Sequence, residues 1–141
     1  MENCSDIMTK NPACCLCDES VVRAAKLMKD QNVGSIPVVE NRLTRILVGI
    51  VTDRDLALKV VAEGRNPETV KVEDVMTRGI ITCHADDDLQ MALDAMSDHQ
   101  LRRIPIVDHE NRILGIIAQA DVATQIDQPE KTASVVKEIS Q

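Results

Sequence analysis

Thr52 and Asp55 stand three residues apart, directly after the run Gly49-Ile50-Val51. An ionised aspartate only accepts hydrogen bonds, so it suits hydroxyl donors. A threonine between a strand and a helix adds a hydroxyl beside backbone N–H groups and a partial positive charge that favour phosphate. The same Thr-x-x-Asp spacing makes a capping box, in which hydroxyl and carboxylate satisfy the first N–H groups of the helix. Both uses are open to these residues. Arg102 and Arg103 form a second candidate. A guanidinium fork matches phosphate oxygens, and the alternative is a solvated basic pair on an acidic protein. Cys14-Cys15-Leu16-Cys17 is a third. Cys14-x-x-Cys17 has the spacing of half a zinc site, and Cys83-His84 is a conceivable second half. An extended chain would point Cys14 away from Cys15 and Cys17, so the thiols read first as small core residues and no metal site is expected. A cysteine-based metal or redox sensor is the competing reading. His84, His99 and His109 face no nucleophile in sequence, and there is no nucleophile elbow, phosphate-binding loop or dinucleotide fingerprint. No catalysis is expected.

The elements that position these groups come in duplicate. Asp6-Ile7-Met8-Thr9 recurs as Asp74-Val75-Met76-Thr77, an offset of 68 (74 − 6) that Met28/Met96 and Ile36-Pro37/Ile104-Pro105 keep. Gly49-Ile50-Val51 recurs as Gly115-Ile116-Ile117 at offset 66 (115 − 49), so two residues are lost in the intervening turn. Each copy reads as a short extended piece (Ala13 to Cys17, Ile81 to His84), then a helix with its N-cap at Asp18 or Asp86. Its apolar positions are Val21, Ala24, Ala25 and Met28, or Leu89, Ala92, Leu93 and Met96. Two apolar strands follow (Ile36 to Val39 with Leu47 to Val51, and Ile104 to Val107 with Ile113 to Ile117), joined by polar turns containing Asn41 or Asn111, and then a second helix, the first copy's ending near Gly64. The expected fold is α/β, a tandem βαββα arrangement. Its boundaries are 4–64 and 74–125, with 65–73 as linker and 126–141 as a tail in which Val135, Val136 and Ile139 would form a short helix. At this size neither copy buries its sheet alone, so the two are expected to pack sheet to sheet around one shared core.

Composition narrows the partners. The 141 residues include no aromatic side chain and carry a net charge of −7. Stacking of single-stranded nucleic acid is excluded and a phosphate backbone would be repelled, so no nucleic acid is expected. No apolar run approaches a membrane span and the start lacks a signal-peptide pattern, which gives a cytoplasmic expectation and no membrane partner. Five cysteines, an odd number, do not make a disulfide framework.

Asp-Ile-Met-Thr opening a copy, Ile-Pro-Val-Val in its middle and Gly-Ile-Val-Thr-Asp-Arg-Asp-Leu near its end resemble a CBS domain, the module named from cystathionine β-synthase. The second copy matches with Asp-Val-Met-Thr, Arg-Arg-Ile-Pro-Ile-Val-Asp and Gly-Ile-Ile-Ala-Gln-Ala-Asp-Val, and the resemblance covers about residues 4 to 125. It implies a pseudo-twofold CBS pair (a Bateman module), a homodimer, and binding of AMP, ADP or ATP, with S-adenosylmethionine as a further ligand, in clefts between the repeats. No cofactor would be required, and an unidentified effector protein would read the ligand state. The family's Gly-to-Asp motif places ribose hydroxyls on Asp55. By family geometry the main site unites Ile50, Thr52 and Asp55 with Gly79, Ile80, Ile81, Arg102 and Arg103. Ile80 and Ile81 would flank adenine, or else be ordinary core. A weaker site unites Asn11, Pro12, Ala13, Val33, Gly34 and Ser35 with Ala118 and Asp121, and lacks the hydroxyl that Thr52 supplies. The implied function is that of a nucleotide-sensing regulatory module, the alternatives being the cysteine-based sensor or a ligand-free adaptor dimer. The apolar faces of Val21 to Met28 and Leu89 to Met96 are further expected to pack across such a dimer.

Overall fold

The computed structural model describes residues 2–120 and 122. They fall into two compact units. A continuous unit spans Ala13–Ile80, and a split unit joins the first twelve residues to the chain from Ile81 onward. Mixed α/β repeats form both, in the βαββα order.

In the continuous unit, β2 (Cys15–Leu16) lies parallel to β3 (Ser35–Val39), which pairs antiparallel with β4 (Leu47–Thr52). The split unit repeats this with β5 (Cys83–His84), β6 (Arg103–Val107) and β7 (Ile113–Ala118). Both hairpins carry one irregularity at the same place, between Val38 and Val39 and between Ile106 and Val107. Pro37 and Pro105 sit one residue before the parallel neighbour begins, a position where a missing N–H disturbs the ladder least.

The helices α2 (Val21–Gln31) and α4 (Leu89–Asp98) end alike. Asn32 and Gln100 take left-handed φ of 55° and 54°, and Val33 and Leu101 donate back to Met28 (3.0 Å) and Met96 (2.8 Å). Such a close satisfies the last carbonyls of a helix. Their starts differ from the sequence expectation. The N-caps are Ser20, which accepts from the Val22 N–H at 3.1 Å, and Asp88, two residues beyond Asp18 and Asp86. Glu19 and Asp87 cause the shift. Their carboxylates fold back onto the N–H of Leu16 (2.7 Å) and His84 (2.8 Å), which closes a turn before the helix can begin.

The opening segments are exchanged between repeats. In the split unit α1 (Cys4–Ile7) and β1 (Thr9–Lys10) precede the body, and β1 pairs with Ile116 and Gly115 of β7. In the continuous unit the matching residue of the second repeat, Thr77, exchanges two hydrogen bonds with Ile50, at 3.0 and 2.8 Å. Within the stretch 65–73, expected as a linker, residues 65–69 are exposed and Val70 and Val72 reach the core. The Val21 N–H donates to the Val70 carbonyl at 2.9 Å.

Each unit has a hydrophobic cluster of its own. In the continuous unit Val21, Ala24, Leu27 and Met28 of α2 lie on Ile36, Val38 and Val51, together with Val72, Val75 and Met76 from the second repeat's opening. In the split unit Leu89, Ala92, Leu93 and Met96 of α4 lie on Ile104, Ile106 and Ile117, with Cys4 and Ile7. The helix faces expected to pack across a dimer rather than only within the chain contribute Val21, Ala24 and Met28, and Leu89, Ala92, Leu93 and Met96, to these clusters. The tail 126–141, with its expected helix, lies outside the described residues.

Candidate functional site

Strand β4 ends at Thr52, and α3 (Asp53–Leu56) starts at once. The capping box is formed. Thr52 Oγ1 accepts from the Asp55 N–H at 3.1 Å, and Asp55 Oδ2 accepts from the Thr52 N–H at 3.0 Å. Asp55 is 8 % exposed, the single buried charged residue among those described. Its other oxygen, Oδ1, meets Lys59 Nζ at 3.0 Å, and that ammonium also donates to the Val75 carbonyl at 2.9 Å. Lys59 reaches both because α3 runs on into a wider turn, Ala57–Val61, where the Ala62 N–H bonds five residues back to Ala57. Gly64 ends this segment with φ 66°, as expected.

Residues at the start of β3 stand beside this corner. Ser35 is the register partner of Thr52, and the Gly34 carbonyl accepts from the Asp53 N–H at 2.9 Å. The Ser35 hydroxyl oxygen is buried without a hydrogen-bond partner among the described residues. A Cβ on Gly34 would lie 3.0 Å from Asp53 Oδ2, so the Asp53 carboxylate occupies the space where a side chain would begin. The Ile50–Thr77 bridge brings Gly79 and Ile80 into the same unit. Gly79 has φ 66° and its counterpart Asn11 has φ 51°, so both openings turn through a conformation that glycine and asparagine tolerate. Ile50, Ile80 and Ile81 are half-buried rather than core.

The structure thus brings Ile50, Thr52, Asp55, Gly79 and Ile80 together with Val33, Gly34 and Ser35. Sequence reasoning had assigned the last three to the weaker site. Arg102, Arg103 and Ile81 belong to the split unit, with Asn11, Pro12 and Ala118. Arg103 is the register partner of Ala118, and the Arg102 carbonyl accepts from the Gln119 N–H at 2.9 Å, so the arginines adjoin the motif of their own repeat. Neither guanidinium pairs with an acid among the described residues. Ala13 packs on the continuous core, and Asp121 lies outside the described residues. Not singled out by the sequence were Lys59 and the Asp53 carboxylate that fills the space at Gly34. The spacing of Asp55 and Lys59, one helical turn, was the available signal.

The cysteines are divided. Cys14, Cys15 and Cys17 lie in the continuous unit, Cys4 and Cys83 with His84 in the split one, and none is in a disulfide. Among the described residues no three His, Cys, Asp or Glu side chains are close enough to hold a metal. Cys14 Sγ accepts from Arg45 at 3.5 Å. Burial pushes the thiols of Cys4 and Cys15 up from an ordinary 9.0 to about 12, with Cys83 adding to the first and Glu19 to the second. A thiol that holds its proton more tightly when folded stabilises the protein fully below pH 9.0, and that stability is lost as pH rises towards about 12. Urea unfolding between pH 8 and 11 is therefore expected to show a decline that Cys15→Ala makes shallower. An identical pH profile in that variant would remove the thiol as the cause. His84 and His109 stack with centroids 4.7 Å apart, and His109 holds the Asp86 carboxyl below its usual range through a 3.3 Å contact.

Comparison with known proteins adds the following. The family model for the CBS domain matches residues 4–62 and 72–127. A CBS domain-containing protein of Bacillus subtilis, YhcV, is 39 % identical over 140 residues, covering 99 % of this chain and 96 % of that one. Hypoxic Response Protein I with two coordinated zinc ions superposes with a TM-score of 0.79 at 30 % identity, over 89 % of this chain and 99 % of that one. The CBS domain pair of MJ0100, in complex with methylthioadenosine and S-adenosylmethionine, gives 0.73 at 30 % identity, over 88 % and 94 %. CBSX2 in complex with AMP gives 0.75 at 25 % identity, over 92 % and 99 %. No helix among the described residues is long and apolar enough to cross a membrane.

Proposed function

The chain belongs to the CBS domain family as a pair of CBS domains, a regulatory rather than catalytic module, and from that premise we propose that it binds an adenosine nucleotide and reports its presence to an effector protein. One observation carries the reading most. Thr52, Asp55 and Ser35 place two hydroxyls and a carboxylate at one strand end, and the Ser35 oxygen is buried with no partner among the described residues. An ionised carboxylate has about four acceptor positions, and the cap and Lys59 use one on each oxygen of Asp55. Acceptor capacity therefore remains for the two hydroxyls of a ribose without breaking the cap. Ile50 and Ile80, half-buried beside Gly79, offer apolar walls to adenine. MJ0100 with its adenosyl ligands and CBSX2 with AMP support the ligand class. AMP, ADP and ATP are the nucleotides proposed, with S-adenosylmethionine as a further ligand. A cytoplasmic homodimer is the proposed working form.

Calorimetric titration with AMP, ADP, ATP and S-adenosylmethionine tests the reading. Saturable binding by at least one is expected, weakened about tenfold or more by Asp55→Ala, the range for a charged hydrogen-bond acceptor. The melting temperature of the variant controls for the lost cap. A folded Asp55→Ala protein that binds as the parent does would show that the ribose is held elsewhere.

A further inference from the structure

We propose that Lys59 is a positioning residue for the nucleotide. By fastening the Asp55 carboxylate to the segment that leads to Gly79 and Ile80, it sets a preference for ribose over deoxyribose. This rests on the nucleotide reading given above.

The ribose acceptor and one of the apolar walls come from separate pieces of chain. Asp55 stands in α3, directly after β4, whereas Gly79 and Ile80 follow the second repeat's opening. Backbone pairing between Ile50 and Thr77 joins the two pieces on the strand side, at 3.0 and 2.8 Å. On the helix side Lys59 joins them. Its ammonium lies 3.0 Å from Asp55 Oδ1 and donates to the Val75 carbonyl at 2.9 Å, just before Thr77 in the chain. An ammonium carries three protons, so both contacts are made at once.

This differs from a surface ion pair one helical turn long. Such pairs contribute little, because water screens them and two long side chains must be held still. Asp55 is buried, so its charge depends on the partners the fold provides. Among the described residues Lys59 alone pairs with it. Arg54, beside Asp55 in the chain, and Arg78, beside Gly79, are exposed. The Thr52 N–H fixes one carboxylate oxygen and Lys59 the other, so the plane of the carboxylate is set from both sides. Its free acceptor positions then keep fixed directions, as recognition of two neighbouring hydroxyls requires. The second repeat keeps the acid, Asp121, without the cation. The offset of 66 that relates Gly49 to Gly115 places Gln125 at the position of Lys59 (59 + 66), a residue outside the described ones and without charge. The preference is therefore assigned to the continuous unit.

Titrating the full chain with AMP, ADP and ATP, each beside its 2′-deoxy counterpart, tests this. The members of a pair carry the same phosphates, so the exposed arginines act alike on both and cancel from the ratio of affinities. The parent is expected to favour the ribonucleotide about tenfold or more, the range for a hydrogen bond to a charged acceptor. Lys59→Met is expected to bring the ratio to within about threefold of unity, and Lys59→Arg, which returns the charge, to restore it. Lys59→Gln, which loses the charge and keeps a donor, gives the same readout should Lys59→Met fail to fold. Equal weakening of both members with the ratio kept would make Lys59 merely structural and overturn the proposal. A parent that binds ribo- and deoxyribonucleotides alike also overturns it, while the nucleotide reading stands. A parent that binds none of these compounds overturns both.

Discussion

Gly115→Ala is expected to destabilise the split unit and to peel its first strand away from the sheet. A Cβ there would stand 2.6 Å from Met8 Sδ, 2.8 Å from Met8 Cγ and 2.7 Å from the Thr9 carbonyl oxygen. The methionine can turn aside, but the carbonyl belongs to β1, whose register against Gly115 and Ile116 fixes it there. Relief therefore requires β1 to move as a strand. Overpacking of this kind costs about 1–3 kcal/mol, and loss of the strand would add to it. Gly49→Ala makes the comparison informative. There the nearest atom is Met76 Sδ at 2.5 Å, while the Thr77 carbonyl is 3.1 Å away, so most of the conflict falls on a flexible side chain. Thermal unfolding should rank Gly115→Ala well below Gly49→Ala. Hydrogen exchange should show faster loss at the Asn11 amide, which bonds the Leu114 carbonyl at 3.2 Å. A Gly115→Ala protein with parental melting and exchange would mean that the strand yields without cost.

Leu93→Ala carries the other large effect. Leu93 is 1 % exposed at the middle of α4, in a cluster with Met96, Ile104, Ile106 and Ile117. Removing three buried carbons and leaving a cavity costs about 2–5 kcal/mol. Domains of this size are stable by about 5–15 kcal/mol, so the loss is a large share. With no aromatic residue in the chain, the core is made of aliphatic side chains and Met. Met91, two positions away and 55 % exposed, provides the control, and its replacement by alanine should change stability by less than about 0.5 kcal/mol. Urea midpoints of the two variants compare them directly. Equal midpoints would contradict the burial of α4.

Local pattern made the repeated body legible. The apolar runs became β3, β4, β6 and β7 within a residue or so, because Ile and Val alternate or cluster there and Asn41 and Asn111 mark the turns. Thr52 and Asp55 were legible as both cap and site because the two uses require the same three-residue spacing. The exchange of openings was not legible in this form. Thr9–Lys10 is a two-residue strand with no periodicity of its own, and its partner lies more than a hundred residues away in sequence. Helix starts were misplaced for a related reason. Asp18 and Ser20 are equally good caps by type, and the choice fell to Glu19, whose long side chain reaches the Leu16 N–H. The grouping of the arginines with Thr52 comes from family geometry and joins residues of the two units, and the hairpin register adds that Arg103 stands opposite Ala118 within its own.

The exchanged openings also order events on the ribosome. All residues of the continuous unit have been made once Ile80 is added, including the Val72–Met76 stretch that completes its core. Cys4 and Ile7, made before that unit, have no such partners until α4, β6 and β7 follow, the last of them ending 111 residues (118 − 7) after Ile7. At ordinary rates of synthesis that is a wait of about 6–22 s, during which this opening segment stays without its place in the fold.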